Sequence, residues 1–153
     1  MCLLVIQDCK KWEANLSAFV VMSNHIHLIA RPHESKTIVH LMSQIKANSC
    51  VRMSSLLLPS EKLQLDLQSG LGGNTFWKRS PRAFSLHTHE LFCQKIKYLH
   101  DNPVRQNLVE LPEDYQWSSM YLHQMGLMIE GEIVDLSKAR NLYQDMLNKQ
   151  IYG

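Results

Sequence analysis

Nowhere in the 153 residues do two cysteines form a C-x-x-C pair; the four present, Cys2, Cys9, Cys50 and Cys93, are scattered along the chain. That spacing excludes a zinc knuckle and a disulfide framework, and it fits a chain kept reduced in the cytoplasm. Long apolar runs are missing too. The opening "CLLVI" stops at Gln7 and Asp8, too soon for a signal-peptide core or a membrane span, so no targeting segment is expected. Charge of one sign is scarce, with 16 Lys and Arg against 14 Asp and Glu for a net charge of +2. So small an excess does not by itself announce a nucleic-acid partner, and any such argument rests on where the charges lie. There is no internal repeat and no low-complexity segment, and the length suits one domain, 1–153, around one core.

What is present is a pair of histidines inside the apolar run "FVVMSNHIHLIARP", Phe19 to Pro32. Rich in β-branched residues, the run reads as one mostly buried β-strand. A period of two puts His25 and His27 on the side of Val21 and Ile29, with Ile26 and Leu28 on the other. Two imidazoles standing side by side can share one metal ion as neutral ligands, and a divalent metal wants at least one further donor. The plainer alternative is a pair of interior histidines satisfied by hydrogen bonds. "HTH" at His87 and His89 has the same spacing, but it sits among polar residues and reads as a solvated loop.

Helical patterns surround this run. Leu3, Leu4, Ile6 and Cys9 predict a first helix, ending in a turn at Ala14-Asn15. Ile38, Leu41, Met42 and Ile45 predict a second, with Ser35 as its N-cap and Lys46 and Arg52 along it. Residues 56–74 read as a long loop. "TFWKRSPRAFSLH" interleaves Phe76, Trp77 and Phe84 with Lys78, Arg79 and Arg82. Such a mixture can stack bases and neutralise phosphates, or it can be a strand edge with solvated cations.

A third helix is predicted from His89 to Asn102, with Phe92, Ile96 and Leu99 as its core stripe and Pro103 as its stop. Tyr98 is off that stripe, and Asn102, four residues later, shares its face. A tyrosine at the margin of a core stripe often just keeps its hydroxyl in water. Here Lys95, Lys97 and the abrupt "DNPVR" place it at the mouth of a basic site. A phenol with a pKa of about 10 is a poor nucleophile unless its substrate is polarised, as a metal on a phosphate oxygen would do. Asn102 is then the geometric choice for an oxygen donor beside the histidines. Beyond it lie a loop-and-cap region, a short strand at Ile133 and Val134, and a last helix containing Leu136, Leu142, Tyr143 and Met146.

"AFVVMSNHIHLIARP", then "FWK", then "KIKYLHDNPVRQNLVELPEDYQWSS" resembles the REP-associated tyrosine transposases, relatives of the single-tyrosine HUH transposases of small insertion sequences. The resemblance covers about Leu16 to Ser119 and leaves 120–153 as a C-terminal extension. It implies an α+β, ferredoxin-like fold: an antiparallel sheet with helices packed on one face and H-x-H on a central strand. Because Met1 falls at the first helix, the strand that the family carries ahead of that helix is expected to be lacking. The resemblance also implies His25, His27 and Asn102 as ligands of Mg²⁺ or Mn²⁺, and Tyr98 as nucleophile.

Trp77, Lys78, Arg79, Arg82, Lys95 and Arg105 are the expected DNA contacts. The implied activity is cleavage and strand transfer of single-stranded DNA near a hairpin, through a 5′-phosphotyrosine link and without a nucleotide cofactor. Some relatives work as homodimers that exchange the tyrosine helix, which leaves the oligomeric state open. Two other readings use the same residues. One is a relative that binds hairpin DNA without cleaving it; the other is a metal-dependent phosphodiesterase with water as nucleophile, for which Tyr98→Phe would be harmless.

Overall fold

The computed structural model describes residues 1–61, 76–77, 82–129, 132–133 and 141. Its first element, α1 (Cys2–Lys11), buries Cys2, Val5, Ile6 and Cys9, positions recurring at helical spacing. The helix stops where Glu13 takes a left-handed conformation (φ 53°). Ala14 N–H then donates to Cys9 O and Glu13 N–H to Lys10 O, closing the last turn back on itself. The chain reverses at Glu13, one residue earlier than the expected turn at Ala14-Asn15.

The apolar run is two strands, not one. β1 (Asn15–Val21) pairs antiparallel with β2 (Ile26–Arg31), in a register that sets Val20 opposite His27 and Val21 opposite Ile26. The polar pair Ser23-Asn24 makes the reversal, with Met22 N–H donating to His25 O at 2.8 Å. Counting through that turn as though it were strand misplaces Val21, which faces away from His27. A bulge at Ser17, between Leu16 and Ala18, shifts the register once more. It lets Leu16 and Phe19 share one face while Ala18 and Val20 share the other.

Helix α2 (Ile38–Leu56) completes the layer on the Phe19 face. Leu41 and Ile45 are fully buried against α1 and the hairpin, with Ile38 and Met42 beside them. Its N-cap is Thr37, whose hydroxyl accepts from His40 N–H at 3.2 Å. Ser35, the expected cap, instead hydrogen-bonds His33 Nδ1 at 3.0 Å, because the chain becomes helical only after Thr37. Most of the expected loop at 56–74 and the expected last helix lie outside the described residues, as does Val134.

On the opposite face, Ala18, Val20 and Met22 pack with Leu99 and Ile96 of α3 (His89–His100). Thr88 caps α3 through its hydroxyl. A single turn, α4 (Asn102–Arg105), follows directly, with Pro103 at its start. After a 3₁₀ turn at Pro112–Asp114 comes α5 (Ser119–Gln124), in a segment expected to be loop and cap. Val21 N–H donates to Trp117 O at 2.9 Å, and Tyr115 Oη donates to Val21 O at 2.8 Å. These bonds lock the segment onto β1. Two short strands, β3 (Met128–Ile129) and β4 (Glu132–Ile133), form a second antiparallel pair. The architecture is therefore α+β, an antiparallel hairpin layered between helices. None of the four cysteines is in a disulfide.

Candidate functional site

His25 ends the hairpin turn and His27 is the second residue of β2, so backbone alternation brings their rings together. The centroids are 4.8 Å apart, edge to face. His25 Nδ1 hydrogen-bonds the side-chain oxygen of Asn24, which fixes that ring from the turn side. Burial, and secondarily the neighbouring charge of His25, hold the pKa of His27 below its usual value. The neutral imidazole, the form with a free lone pair, is thus favoured at His27.

Tyr98 arrives on the same face from α3. Its ring centroid is 6.2 Å from that of His27, and the residue is 42% exposed, in contrast to its neighbour Leu99 at 2%. Two cations flank the ring: Arg105 at 4.9 Å from its centroid and Lys95 at 5.7 Å, the latter also 5.2 Å from Phe84. Lys95 sits three residues before the tyrosine on α3, and Arg105 returns to it because Pro103 lets a new helical turn start at Asn102.

Asn102 is buried, 6% exposed. Its Nδ2 donates to Tyr98 O at 2.8 Å and to Leu99 O at 3.4 Å. Pro103 has no N–H to give Leu99 O, so the longer of the two bonds substitutes for that donor, and together they cap the helix end behind the tyrosine. Both bonds use the nitrogen and leave Oδ1 as the ligand-type atom. Among the described residues no group of three His, Cys, Asp or Glu that could hold a metal ion comes together, so a metal on the two imidazoles would need a donor of another kind, such as an amide oxygen. Nitrogen donors of that kind suit Mn²⁺, and Mg²⁺ would keep water in its remaining positions. The donor set fits such an ion.

Beneath this surface lies a link absent from the sequence reading. Ser119 Oγ accepts from Phe19 N–H at 3.0 Å and donates to Phe19 O at 3.2 Å. His100 Nε2 is 2.8 Å from the same oxygen. A hydroxyl has one proton and two acceptor sites, so with its proton given to Phe19 the ring must be the donor, which assigns the Nε2–H tautomer. Burial pushes the pKa of His100 down to about 4, reinforced by His123 and opposed by Asp101. A histidine two residues after the tyrosine thus ties α3 through α5 to the middle of β1. The only local signal is the "SS" at Ser118-Ser119, where Ser118 caps α5.

The other expected contacts scatter. Trp77 is half-buried, and its indole N–H donates to Ser49 Oγ of α2 at 2.8 Å. Arg82 is exposed; Lys78 and Arg79 lie outside the described residues. His87 and His89 are exposed at the start of α3, as expected of that pair.

A histidine pair on a hairpin is thus faced by an accessible tyrosine between two cations. The family described as IS200-like transposases matches residues 3–102, well over half of the chain, and the chain belongs to that family. Its fold is similar to a solved structure described as a REP-associated tyrosine transposase bound to a REP hairpin. The TM-score is 0.58 at 18% identity, over 90% of this chain and 74% of the other. No curated protein matches. Among the described residues no helix is long and apolar enough to cross a membrane.

Proposed function

We propose that the chain cleaves and rejoins single-stranded DNA beside a hairpin, with Tyr98 as nucleophile. The single observation that carries this reading is the placement of Tyr98, exposed and 6.2 Å from His27, between Lys95 and Arg105. A bare structural tyrosine has no need of two cations. Family membership supports transposase chemistry in general, and the hairpin bound to the structural neighbour supports the choice of DNA.

In this reading His25, His27 and Asn102 hold a divalent ion, Mn²⁺ or Mg²⁺. When bound, the ion supplies Lewis-acid polarisation of the scissile phosphate. The neutral state of His27 keeps its lone pair available, and the bonds made by Asn102 Nδ2 leave its Oδ1 as the donor atom. Arg105 and Lys95 bring positive charge to the entering phosphate. Tyr98 Oη attacks phosphorus as its phenolic proton passes to water, and the bond to the 3′ oxygen breaks, the departing oxygen taking up a proton from water. A 5′-phosphotyrosine and a free 3′-hydroxyl result. The linkage is still a phosphodiester, so a 3′-hydroxyl from another end reverses the step without a nucleotide cofactor. Lys78, Arg79 and Arg82 are proposed to contact the strand as it approaches.

The test is incubation with Mn²⁺ and end-labelled hairpin oligonucleotides from the DNA flanking the gene, read as a denaturant-stable protein–DNA adduct. The adduct is expected with the unaltered chain and absent with Tyr98→Phe and His25→Ala. Retarded DNA without an adduct would identify a binding protein instead. Cleavage that survives Tyr98→Phe would identify a phosphodiesterase using water.

A further inference from the structure

Of the described Phe, Tyr and Trp residues two are exposed, Tyr98 at 42% and Phe84 at 67%. They share one cation. Lys95 Nζ lies 5.2 Å from the Phe84 ring centroid and 5.7 Å from that of Tyr98. Phe84 comes from the irregular stretch that leads into α3, and it belongs to neither apolar cluster of the hairpin. The aromatics of "TFWKRSPRAF" thus part company. Phe76 and Trp77 are half-buried, and Trp77 spends its N–H on Ser49 of α2, on the closed face. Phe84 stays in water beside the tyrosine. A solitary exposed phenyl ring is ordinary on a protein surface. This one stands beside a candidate nucleophile, across an ammonium group, with Arg105 on the tyrosine as well.

A ligand that covers such a row needs a flat apolar face for the phenyl ring and an anion for the cations next to it. A single strand of DNA repeats that pair with every nucleotide, a base and then a phosphate. A duplex does not, because its base faces are stacked on one another and only their edges are open. We propose that Phe84 is the stacking platform for an unpaired base of the strand, whose phosphate lies at Lys95, beside the bond that Tyr98 attacks. The phenyl ring has no hydrogen-bonding group, so the platform takes any of the four bases. This inference rests on the Tyr98 reading for the choice of strand, but stacking itself needs neither the phenol nor a metal.

The test measures affinity of the full chain with EDTA present, so that no metal-dependent step intervenes. Hairpin oligonucleotides from the DNA flanking the gene carry one abasic sugar, moved one position at a time through the unpaired nucleotides beside the hairpin. At one position the missing base is expected to weaken binding roughly tenfold. Phe84→Ala should weaken binding of the intact strand by a similar factor and become indifferent to the abasic sugar at that position, while Phe84→Trp restores both the affinity and the sensitivity. The salt dependence of binding should be the same with Phe84→Ala as with the unaltered chain, since stacking releases no counterions. The proposal is overturned if Phe84→Ala binds the intact strand as tightly as the unaltered chain, if it keeps full sensitivity at every abasic position, or if the unaltered chain binds none of these strands. The Mn²⁺ adduct assay is run beside it to separate the two readings. Coupling between Phe84 and one base without any adduct upholds the platform and removes Tyr98 as nucleophile; an adduct without that coupling keeps the nucleophile and discards the platform.

Discussion

The two faces of the β1–β2 hairpin are built to opposite ends. On one, Leu16 and Phe19 meet α1 and α2 through Val5, Ile6, Cys9, Leu41 and Ile45, all buried. On the other, Ala18 and Val20 supply a smaller apolar floor under Leu99, and the rest of the surface is given to His27, Tyr98, Asn102 and buried His100. The first face holds the fold through apolar area removed from water. The second holds polar groups in place through hydrogen bonds and leaves a tyrosine in the open. One hairpin can do both because strand alternation separates the two residue sets, and the bulge at Ser17 keeps each set on its own side.

The sharpest way to break this division is to truncate one aromatic on each face. Phe19→Ala removes a ring with no solvent exposure and is expected to cost roughly 3–5 kcal/mol of folding stability. Tyr98→Phe should change stability by less than about 0.5 kcal/mol while removing the adduct. Denaturant midpoints of the two variants check this. Comparable losses would mean that the tyrosine face also carries the fold.

Acid probes the second face alone. His100 takes up a proton near its usual 6.5 in the unfolded chain but only near 4 in the fold. Between those values the unfolded state binds more protons, so stability is full above pH 6.5 and falls as the pH drops toward 4. The loss from this group approaches about 3 kcal/mol. Chemical denaturation at a series of pH values, with EDTA present, measures the slope. His100→Gln, which keeps a donor for Ser119 but does not titrate, should reduce the slope and leave the part due to His27, whose pKa is also lowered. Ser119→Ala should cost less, roughly 1–3 kcal/mol, as it strands the His100 donor and the Phe19 backbone groups.

How much of this was legible beforehand differs between the faces. Helix α1 and the buried positions of α2 follow from apolar spacing, and so does the placing of Tyr98 off the Leu99 stripe. The approach of His25 to His27 follows from a period of two, although His25 belongs to the turn. The hairpin itself was hidden because both of its strands are apolar, and Ser23-Asn24 is a short polar interruption beside the more conspicuous histidines. The Ser119 link to Phe19 and His100 bridges 100 and 19 residues of chain, and no local pattern encodes a contact of that range. Helical spacing makes Asn102 the tyrosine's neighbour, whereas its bond to Leu99 O follows from the absent N–H of Pro103.

The smallest effect expected tests where the closed face's second helix begins. A helix starts at the residue whose side chain satisfies its first free N–H groups, and both Ser35 and Thr37 are chemically able to do so. Thr37 has extended backbone and its hydroxyl meets His40 N–H, whereas the hydroxyl of Ser35 is turned to His33. Thr37→Ala is therefore expected to cost about 1 kcal/mol, and Ser35→Ala to stay within about 0.5 kcal/mol. Thermal unfolding of the two single variants and the double variant distinguishes the caps. If Ser35→Ala proved the costlier change, the helix would begin two residues earlier. Ile38, Leu41 and Ile45 would keep their mutual spacing, so the closed face would survive and only its entry would be redrawn.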